Sequence, residues 1–441
     1  MDLTQVSYRR IMHLAFPIII SQLGQITVGL VDNIMIGQIG TIELAAAAFV
    51  NNIFNLAIFF GTGVTFIITP LIGEAIGKKK QTTAGILKNS LIINSIIGVL
   101  IVGLLLLTHD FFPHMGQEAE VIKNSSGYFL LLTISYVPFI IFNSFKQFAE
   151  GTGDTKSGMQ IIIVGNIVNI FGNYMYIFGK FGAPELGLNG AAIGTILSRI
   201  FMMLAFYGYF GLLKKYKTYT HGFKSAYIDF KLIKKIGKKG SVLGLQMLIE
   251  AGAFGFAGIM IGWLGAPGLA AHQIVISLST IGFMVYHGMG SATTILISQS
   301  FGSRSKTKMK IQVKRAIFLT IPLSLIASIF FFSLRNYLPL IFTDDPDVIR
   351  ISSTLLIILS LFQLPDALQI IYAAAVRALA DVKIPALLLF ISFFIICLPT
   401  GYFLAFKLNL KQQGLWISFP IGLYFTFLFL RFRFNKLISK I

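Results

Sequence analysis

Three acidic residues lie inside or at the edge of hydrophobic runs that are long enough to cross a membrane. They are Asp32, Glu250 and Asp366, and Glu150 is a weaker fourth. An ionised side chain in the hydrocarbon core costs at least about 2.5 kcal/mol. A chain keeps such a group where it is paired, faces water, or binds a proton or an ion. The acids therefore indicate transport of a charged species as the leading hypothesis.

Amide and hydroxyl side chains accompany Asp32 at helical spacing. In the first run, Gln22, Gln25 and Gly29 precede Asp32 at steps of three or four residues. The other members are Asn166, Asn169 and Asn173 in the fifth run and Thr195 in the sixth. Residues three or four apart share one face of a helix, so these groups can line one cavity. Their oxygens can coordinate a cation or accept hydrogen bonds from a substrate. Two alternatives remain open: Asp32 is wetted at the outer end of its helix, and the asparagines hydrogen-bond between helices.

A second polar group surrounds the other two acids. Gln246 lies one turn before Glu250, and Gln363 and Gln369 lie three residues on either side of Asp366. The adjacent Pro365 leaves backbone carbonyls unpaired, and oxygen-only ligands suit a hard cation such as Na⁺. A buried carboxylate suits H⁺ instead. The alternative is a network that only packs helices together.

The eighth run carries a third stripe, which could line the cavity for a flat apolar cation. Its members are Gln273, Ser277, Thr280, Met284 and His287, with Tyr286 beside them. For each of them taken singly, ordinary packing is the favoured interpretation. His272 is expected to be a hydrogen-bonded structural histidine.

Two basic residues at membrane depth need a partner or water. Arg199 lies near the middle of the sixth run and either reaches Asp32 or extends towards a cytoplasm-facing cleft. The sequence favours the second interpretation, because long basic side chains can extend towards water. Lys146 and Glu150, at the inner end of the fourth run, are expected to meet water.

Composition defines the fold class. The 441 residues are 55% hydrophobic and only 12% charged, against about 25% charged in soluble domains. The runs of about 20 apolar residues predict an all-α polytopic membrane protein. The net charge of +19 would otherwise indicate nucleic-acid binding, but the basic residues cluster in alternate loops. Cys397 is the only cysteine, so no intrachain disulfide or thiol metal site is possible.

Twelve transmembrane helices are predicted, the first without the features of a cleavable signal. They lie near 11–36, 45–72, 86–107, 126–148, 158–178, 189–213, 236–261, 268–296, 314–333, 349–374, 384–406 and 413–433. Strongly basic segments alternate with segments that are not basic, so the positive-inside rule places both termini and residues 214–239 in the cytoplasm.

The chain also repeats itself. Met35–Gly40 matches Met260–Gly265 at an offset of 225 residues, the difference between positions 35 and 260, and Gly153–Lys156 resembles Ala380–Lys383 at 227. The repeat predicts two pseudo-symmetric lobes of six helices in parallel orientation. The predicted domains are an N-terminal lobe (1–213), a basic cytoplasmic linker (214–239) and a C-terminal lobe (240–441).

The acids do not follow the repeat. Asp32 falls opposite Ala257 and Glu250 opposite Gln25, while Asp366 falls opposite Phe139. This pattern is expected if a duplicated scaffold acquired different sites in its two copies.

Enzyme signatures are missing from the sequence. It contains no nucleophile elbow, phosphate-binding loop or zinc-ligand spacing. The chain is therefore not expected to be an enzyme or to carry a cofactor, and coupling to an ion gradient replaces ATP as the expected energy source.

The chain resembles the multidrug and toxic compound extrusion (MATE) family, and within it the NorM-type members. The resemblance covers essentially the whole length. It rests on Val31–Gly37, Gly179–Gly187, Glu250, Ala270–Gln273 and Pro365–Ala367. It implies cation-coupled efflux of organic cations by alternating access of two six-helix lobes.

The resemblance also implies roles for individual residues. Glu250 and Asp366, with Tyr286, would form a cation site in the C-terminal lobe, to which Asp32 is added as a further acid. Asp32, Asn169, Asn173 and Thr195 would form the polar substrate or proton site of the N-terminal lobe, with Gln25 beside them. Some relatives have an aspartate at the position of Asn173, so Asp32 is the only acid of this cluster here.

The resulting prediction is an antiporter of the bacterial inner membrane. It exchanges Na⁺ or H⁺ for small organic cations, contacts membrane lipids and acts as a monomer without nucleic acid. A lipid-linked oligosaccharide flippase is the main alternative, although it would need a basic cavity for a pyrophosphate. An intramembrane enzyme would need a metal cluster or a Ser/Lys pair at membrane depth. A channel fits the two-lobe repeat less well.

Overall fold

The computed structural model describes residues 7–80 and 82–441, and in this part of the chain the regular structure is helical. The first half contains α1 (Tyr8–Gly37), α2 (Thr41–Thr65), α3 (Ile68–Gly77), α4 (Thr83–His109), α5 (Ala119–Ile134), α6 (Tyr136–Thr152), α7 (Thr155–Phe178), α8 (Leu188–Leu212) and α9 (Lys217–Ser225). The second half contains α10 (Phe230–Gly262), α11 (Ala266–Gly302), α12 (Lys306–Ser333), α13 (Pro346–Ala378), α14 (Lys383–Phe390), α15 (Leu398–Tyr402) and α16 (Lys411–Ser439).

Twelve segments of the described chain are long and apolar enough to cross a membrane, as the sequence predicts. Two of them are built from helix pairs, α2 with α3 across Thr41–Gly77 and α5 with α6 across Ala119–Thr152. Another, Lys383–Lys407, contains wider π-helical turns at Ile391–Cys397 and Phe403–Lys407. The helical fold class predicted from composition is therefore confirmed.

Prolines account for the two interrupted spans. Pro70 and Pro138 each occupy the third residue of the new helix, in α3 and α6. Proline has no N–H and fits the first turn of a helix, but it cannot bond the carbonyl four residues earlier. Pro365, which aligns with Pro138 in the repeat, lies inside the unbroken α13.

The chain divides into two compact units. The N-terminal unit is Ile20–Gly244, and the C-terminal unit is the chain up to Ile19 together with Leu245–Ile441. The divisions fall within α1 and within α10. The predicted lobe boundaries stay a prediction, and the first six residues of the predicted N-terminal lobe lie outside the described chain.

Each unit has its own apolar core. Val50, Phe54, Phe129, Tyr136 and Ala192 are among the buried residues of the N-terminal unit. In the C-terminal unit, one cluster includes Ala257, Val275, Leu359, Trp416 and Phe419. A second cluster of this unit joins the start of α1 to α11 and α13. It includes Leu14, Ala15, Ile18, Met289 and Ile371.

The segment predicted as a basic linker contains regular structure. One turn of 3₁₀ helix at Lys214–Tyr216 leads into α9, and α10 already begins at Phe230. Tyr216 is buried, and its hydroxyl donates to Asp154 Oδ2 at 2.5 Å. Residues 214–239 are thus packed onto the N-terminal unit rather than extended away from it.

Candidate functional site

A chain of hydrogen bonds joins α1, α7 and α8 around Asp32. Asn173 Nδ2 donates to Asp32 Oδ1 at 2.6 Å and lies 3.5 Å from Asn169 Oδ1. Asn169 Nδ2 in turn donates to Thr195 Oγ1 at 3.3 Å. Both asparagines are buried while Asp32 and Thr195 are partly exposed. The structure therefore brings together four of the residues that the sequence singled out.

Glycines let α7 and α8 approach closely enough for this network. A Cβ atom on Gly172 would lie 3.0 Å from Gly194 Cα, and one on Gly194 would collide with Asn173 Oδ1. That oxygen is buried and has no hydrogen-bond partner among the described residues. Gly194 therefore leaves the space in which the Asn173 amide orients its N–H towards Asp32.

Two other members of the predicted stripe lie elsewhere. Asn166 Nδ2 donates to the backbone carbonyl of Gly24 at 2.9 Å, so it ties α7 to α1 and is not part of the chain around Asp32. Gln25 is exposed on α1. Residue spacing alone groups both residues with Asp32, because spacing does not distinguish a residue that contacts a neighbouring helix from a residue of the site.

Arg199 is held inside the N-terminal unit by partners that the sequence analysis missed. Its guanidinium lies 5.2 Å from the ring centroids of both Phe54 and Phe139, and Nη1 donates to Ser135 Oγ at 2.7 Å. Its charge also acts on Asp32. Arg199 remains partly exposed, so its extension towards a cytoplasm-facing cleft stays a prediction. The guanidinium lies over both rings, where cation–π attraction offsets part of its desolvation.

In the C-terminal unit, Glu250 and Asp366 lie close enough to interact electrostatically. The carboxylate of Glu250 accepts hydrogen bonds from the amides of Gln246 and Gln369, and the charge of Arg377 also acts on it. Asp366 is buried, with 5% of its surface exposed. Two ionised carboxylates so placed would repel each other in a medium of low dielectric constant, and a proton or a cation would relieve that repulsion.

Tyr286 joins the same cluster. Its hydroxyl donates to Gln363 Oε1 at 2.8 Å. Asp366 interacts electrostatically with the same hydroxyl. Gln363 is fully buried, and a Cβ atom on Gly282 would lie 2.6 Å from its Oε1. The carboxylates of Glu250 and Asp366 and the side chains named with them offer carboxylate, amide and phenol oxygen atoms. Oxygen ligands suit Na⁺, and a carboxylate can bind a proton instead.

The stripe on α11 is divided by the structure. Gln273 and Ser277 are exposed, while Met284 and Thr280 are partly buried and His287 is buried. Ser277 and Thr280 donate to carbonyls of their own helix, at 2.9 Å each. The hydroxyl protons of Ser277 and Thr280 are thus committed to their own helix.

Lys146 and Glu150 contradict the expectation that they meet water. They are only 5% and 3% exposed, and Lys146 Nζ lies 3.6 Å from Glu150 Oε1. The stem of Lys146 packs against Gly158 at the start of α7. Burial of both partners makes this an internal ion pair, because neighbouring helices cover this end of α6.

His272 has the structural role expected of it. Trp416 Nε1 donates to His272 Nδ1 at 3.1 Å, and the histidine is buried. The bond joins α11 to α16.

Comparison with known proteins agrees with this architecture. The MatE family model matches residues 17–175 and 243–403, two segments that start 226 residues apart, the difference between positions 17 and 243. The multidrug resistance protein MdtK of Yersinia enterocolitica is 28% identical over 95% of this chain and 93% of its own length. The multidrug resistance protein NorM of Photobacterium profundum is 27% identical, with 94% and 92% covered.

A solved structure shares the fold. A MATE crystal structure in the straight conformation superposes with a TM-score of 0.91 at 22% sequence identity, covering 100% of this chain and 99% of the other. The family model covers well over half of the chain, in two copies that follow the internal repeat. The chain is a member of the MatE family.

Proposed function

We propose that this protein is a secondary active multidrug efflux transporter that exchanges Na⁺ or H⁺ for organic, mostly cationic, compounds. The relatives named above are multidrug resistance proteins, and twelve membrane spans make the chain an integral membrane protein of the same kind. The observation that carries the proposal is the pairing of Glu250 and Asp366 among amide donors within one unit.

The coupling cation binds in the C-terminal unit. With both acids ionised, the pair carries two negative charges and has Gln246, Gln363, Gln369 and Tyr286 to complete an oxygen-rich shell. Na⁺ or H⁺ relieves the repulsion between the carboxylates, and Arg377 supplies only part of the compensation from outside the pair. A cation that binds one conformation more tightly than the other by a few kcal/mol sets the direction of exchange.

The substrate or a proton is handled in the N-terminal unit by Asp32. Asn173 and Asn169 orient the carboxylate, and Thr195 ends the chain of hydrogen bonds. A cationic substrate and the coupling ion both neutralise negative charge, so binding of one disfavours the other. Alternating access then couples uptake of the ion to release of the substrate, with both termini in the cytoplasm of a bacterial cell.

Efflux in proteoliposomes tests the proposal. Asp366→Asn and Glu250→Gln are compared with the native chain under a Na⁺ gradient alone and then under a pH gradient alone. Each variant removes one charge, so gradient-driven efflux should fall at least about tenfold, the effect expected of a charged partner worth 1.5–3 kcal/mol. Asp344→Asn, an exposed acid between α12 and α13, is the matched control. Full gradient-driven efflux in both site variants excludes this cation site.

The flippase alternative requires a basic site for a pyrophosphate. Arg199 is the basic residue of the cluster in the N-terminal unit, and its guanidinium is already engaged by two rings and a serine hydroxyl. The acid-rich cluster around Glu250 repels phosphate. Efflux of an organic cation is therefore the function that these contacts favour.

A further inference from the structure

An exposed apolar segment runs from the loop after α9 into the first residue of α10. Tyr227 is exposed to 77%, Ile228 to 50% and Phe230 to 79%. Exposed aromatic and aliphatic side chains that lie together indicate contact with a membrane or a partner.

The backbone of this segment is fixed by the inner end of α4. Lys88 Nζ donates to the carbonyl of Ala226 at 2.7 Å, and Asn89 Nδ2 donates to that of Tyr227 at 3.3 Å. The N–H of Asp229 donates to Asn89 Oδ1 at 2.8 Å. Lys88 and Asn89 lie in the second turn of a membrane span, so they hold the apolar side chains near the boundary of the bilayer. These side chains are therefore exposed although the backbone that carries them is hydrogen-bonded to α4.

A stripe of lysines follows directly on α10. Lys231, Lys234, Lys235 and Lys238 are spaced +3, +1 and +3 and all four are exposed. These spacings place them on one face of the helix. The only acidic residue between Lys214 and Ile249 is Asp229, and its Oδ1 accepts the N–H groups of Lys231 and Leu232 at the start of α10.

We propose that Tyr227, Ile228 and Phe230, together with this lysine stripe, form a binding site for an anionic phospholipid of the inner leaflet. The inference rests on the proposed function, in which both termini lie in the cytoplasm, and on the positive-inside prediction that residues 214–239 lie on the same side. The apolar side chains contact the upper acyl chains, and the ammonium groups bind the headgroup phosphate. Basic residues beside an interfacial apolar anchor are the combination that attracts acidic lipids.

Lipid binding by the purified full-length chain tests this site. The chain is titrated in detergent with phosphatidylglycerol, and with phosphatidylcholine of the same acyl chains, and bound lipid is counted by native mass spectrometry. The variant Lys231→Gln, Lys234→Gln, Lys235→Gln, Lys238→Gln should bind phosphatidylglycerol at least about tenfold more weakly and lose its preference over phosphatidylcholine. Raising the salt concentration should reduce the preference of the native chain by screening.

A second basic helix end provides the matched control. Lys306→Gln, Lys308→Gln, Lys310→Gln and Lys314→Gln remove the same number of charges from the start of α12. This control should keep the native preference. Equal losses in both variants, or no preference in the native chain, overturn the proposal, because binding would then follow overall basicity or be absent.

The apolar part of the site is tested separately. Tyr227→Ser, Ile228→Ser and Phe230→Ser should weaken binding of both lipids, whereas soluble glycerol phosphate should not compete with phosphatidylglycerol. Competition by glycerol phosphate, or unchanged lipid binding in this variant, contradicts a lipid site. None of these measurements uses a substrate or an ion gradient, so they remain decisive even for a chain that proves not to transport drugs.

Discussion

Single side chains decide what charge each unit carries at its polar centre. In the N-terminal unit, one carboxylate is oriented by one amide, and a guanidinium that lies over two rings acts on it from a distance. In the C-terminal unit, Glu250 accepts hydrogen bonds from the amides of Gln246 and Gln369, and Asp366 interacts with it electrostatically. The two centres therefore differ in the number of their acids although the surrounding helices are repeated.

Arg199 and Asp32 should be functionally coupled. Arg199→Ala removes the positive charge that acts on Asp32, so the pH dependence of efflux should change and efflux should fall. The same substitution in an Asp32→Asn background should leave the pH dependence as it is in Asp32→Asn alone. Efflux is measured over a pH series in proteoliposomes for both single variants and the double variant. A full shift in the Asp32→Asn background would show that Arg199 acts on another group.

Asp154 provides a pH-dependent contribution to stability outside the membrane. Burial acts to raise the pKa of its carboxyl, but hydrogen bonds from Lys215, Tyr216 and Ser157 outweigh it and hold the pKa below the ordinary 3.8. A lowered pKa in the folded state means that the ionised group stabilises the fold above pH 3.8, and that this contribution disappears as the pH falls further.

Asp154→Asn should therefore lower the melting temperature at neutral pH. The free energy of unfolding should fall by about 1–2 kcal/mol, because a charge-assisted hydrogen bond to a half-exposed lysine is lost. The difference from the native chain should shrink as the pH falls below about 4. Thermal unfolding in detergent across this range measures it, with Asp344→Asn as the control. A difference that is constant with pH would mean that packing, not charge, supplies the effect.

Among the helices, the close approach of α7 and α8 is what places Asn173 against Asp32. Gly194→Ala puts a methyl group into the space of the Asn173 amide. Overpacking of this kind typically costs about 1–3 kcal/mol, and here it also moves the N–H away from Asp32. Drug efflux should fall while insertion into the membrane is kept. Gly208→Ala on the same helix is the control, because a Cβ atom there meets open space; equal losses in both variants would point to α8 itself.

The sequence predicts helices better than it predicts their interruptions and contacts. Apolar length and charge placement are local properties, so all twelve spans follow from them. Pro138 and Pro365 align, yet only the first interrupts a span, because tertiary packing decides whether a helix continues through a proline. The burial of Lys146 and Glu150 depends on neighbouring helices, which the residue spacing within α6 does not predict.

For the whole molecule, orientation in the membrane is open to direct measurement. Cys397 is the only cysteine and is buried, so Cys397→Ala gives a background for single introduced cysteines. In intact cells, Asp344→Cys should react with an impermeant maleimide, whereas Lys217→Cys should react only after the cells are opened. Both positions are exposed, so accessibility alone does not separate them. The reverse pattern would invert the proposed topology.

The division inside α1 and α10 has a consequence for how the chain can be synthesised. A gene cut between α9 and α10 would yield one fragment carrying residues 8–19, which belong to the core of the C-terminal unit, and another carrying residues 230–244, which belong to the N-terminal unit. Each fragment would lack a piece that only the other supplies. Although the chain contains an internal repeat, its two halves should therefore fold only together. Either half made alone should be degraded unless the other half is produced in the same cell.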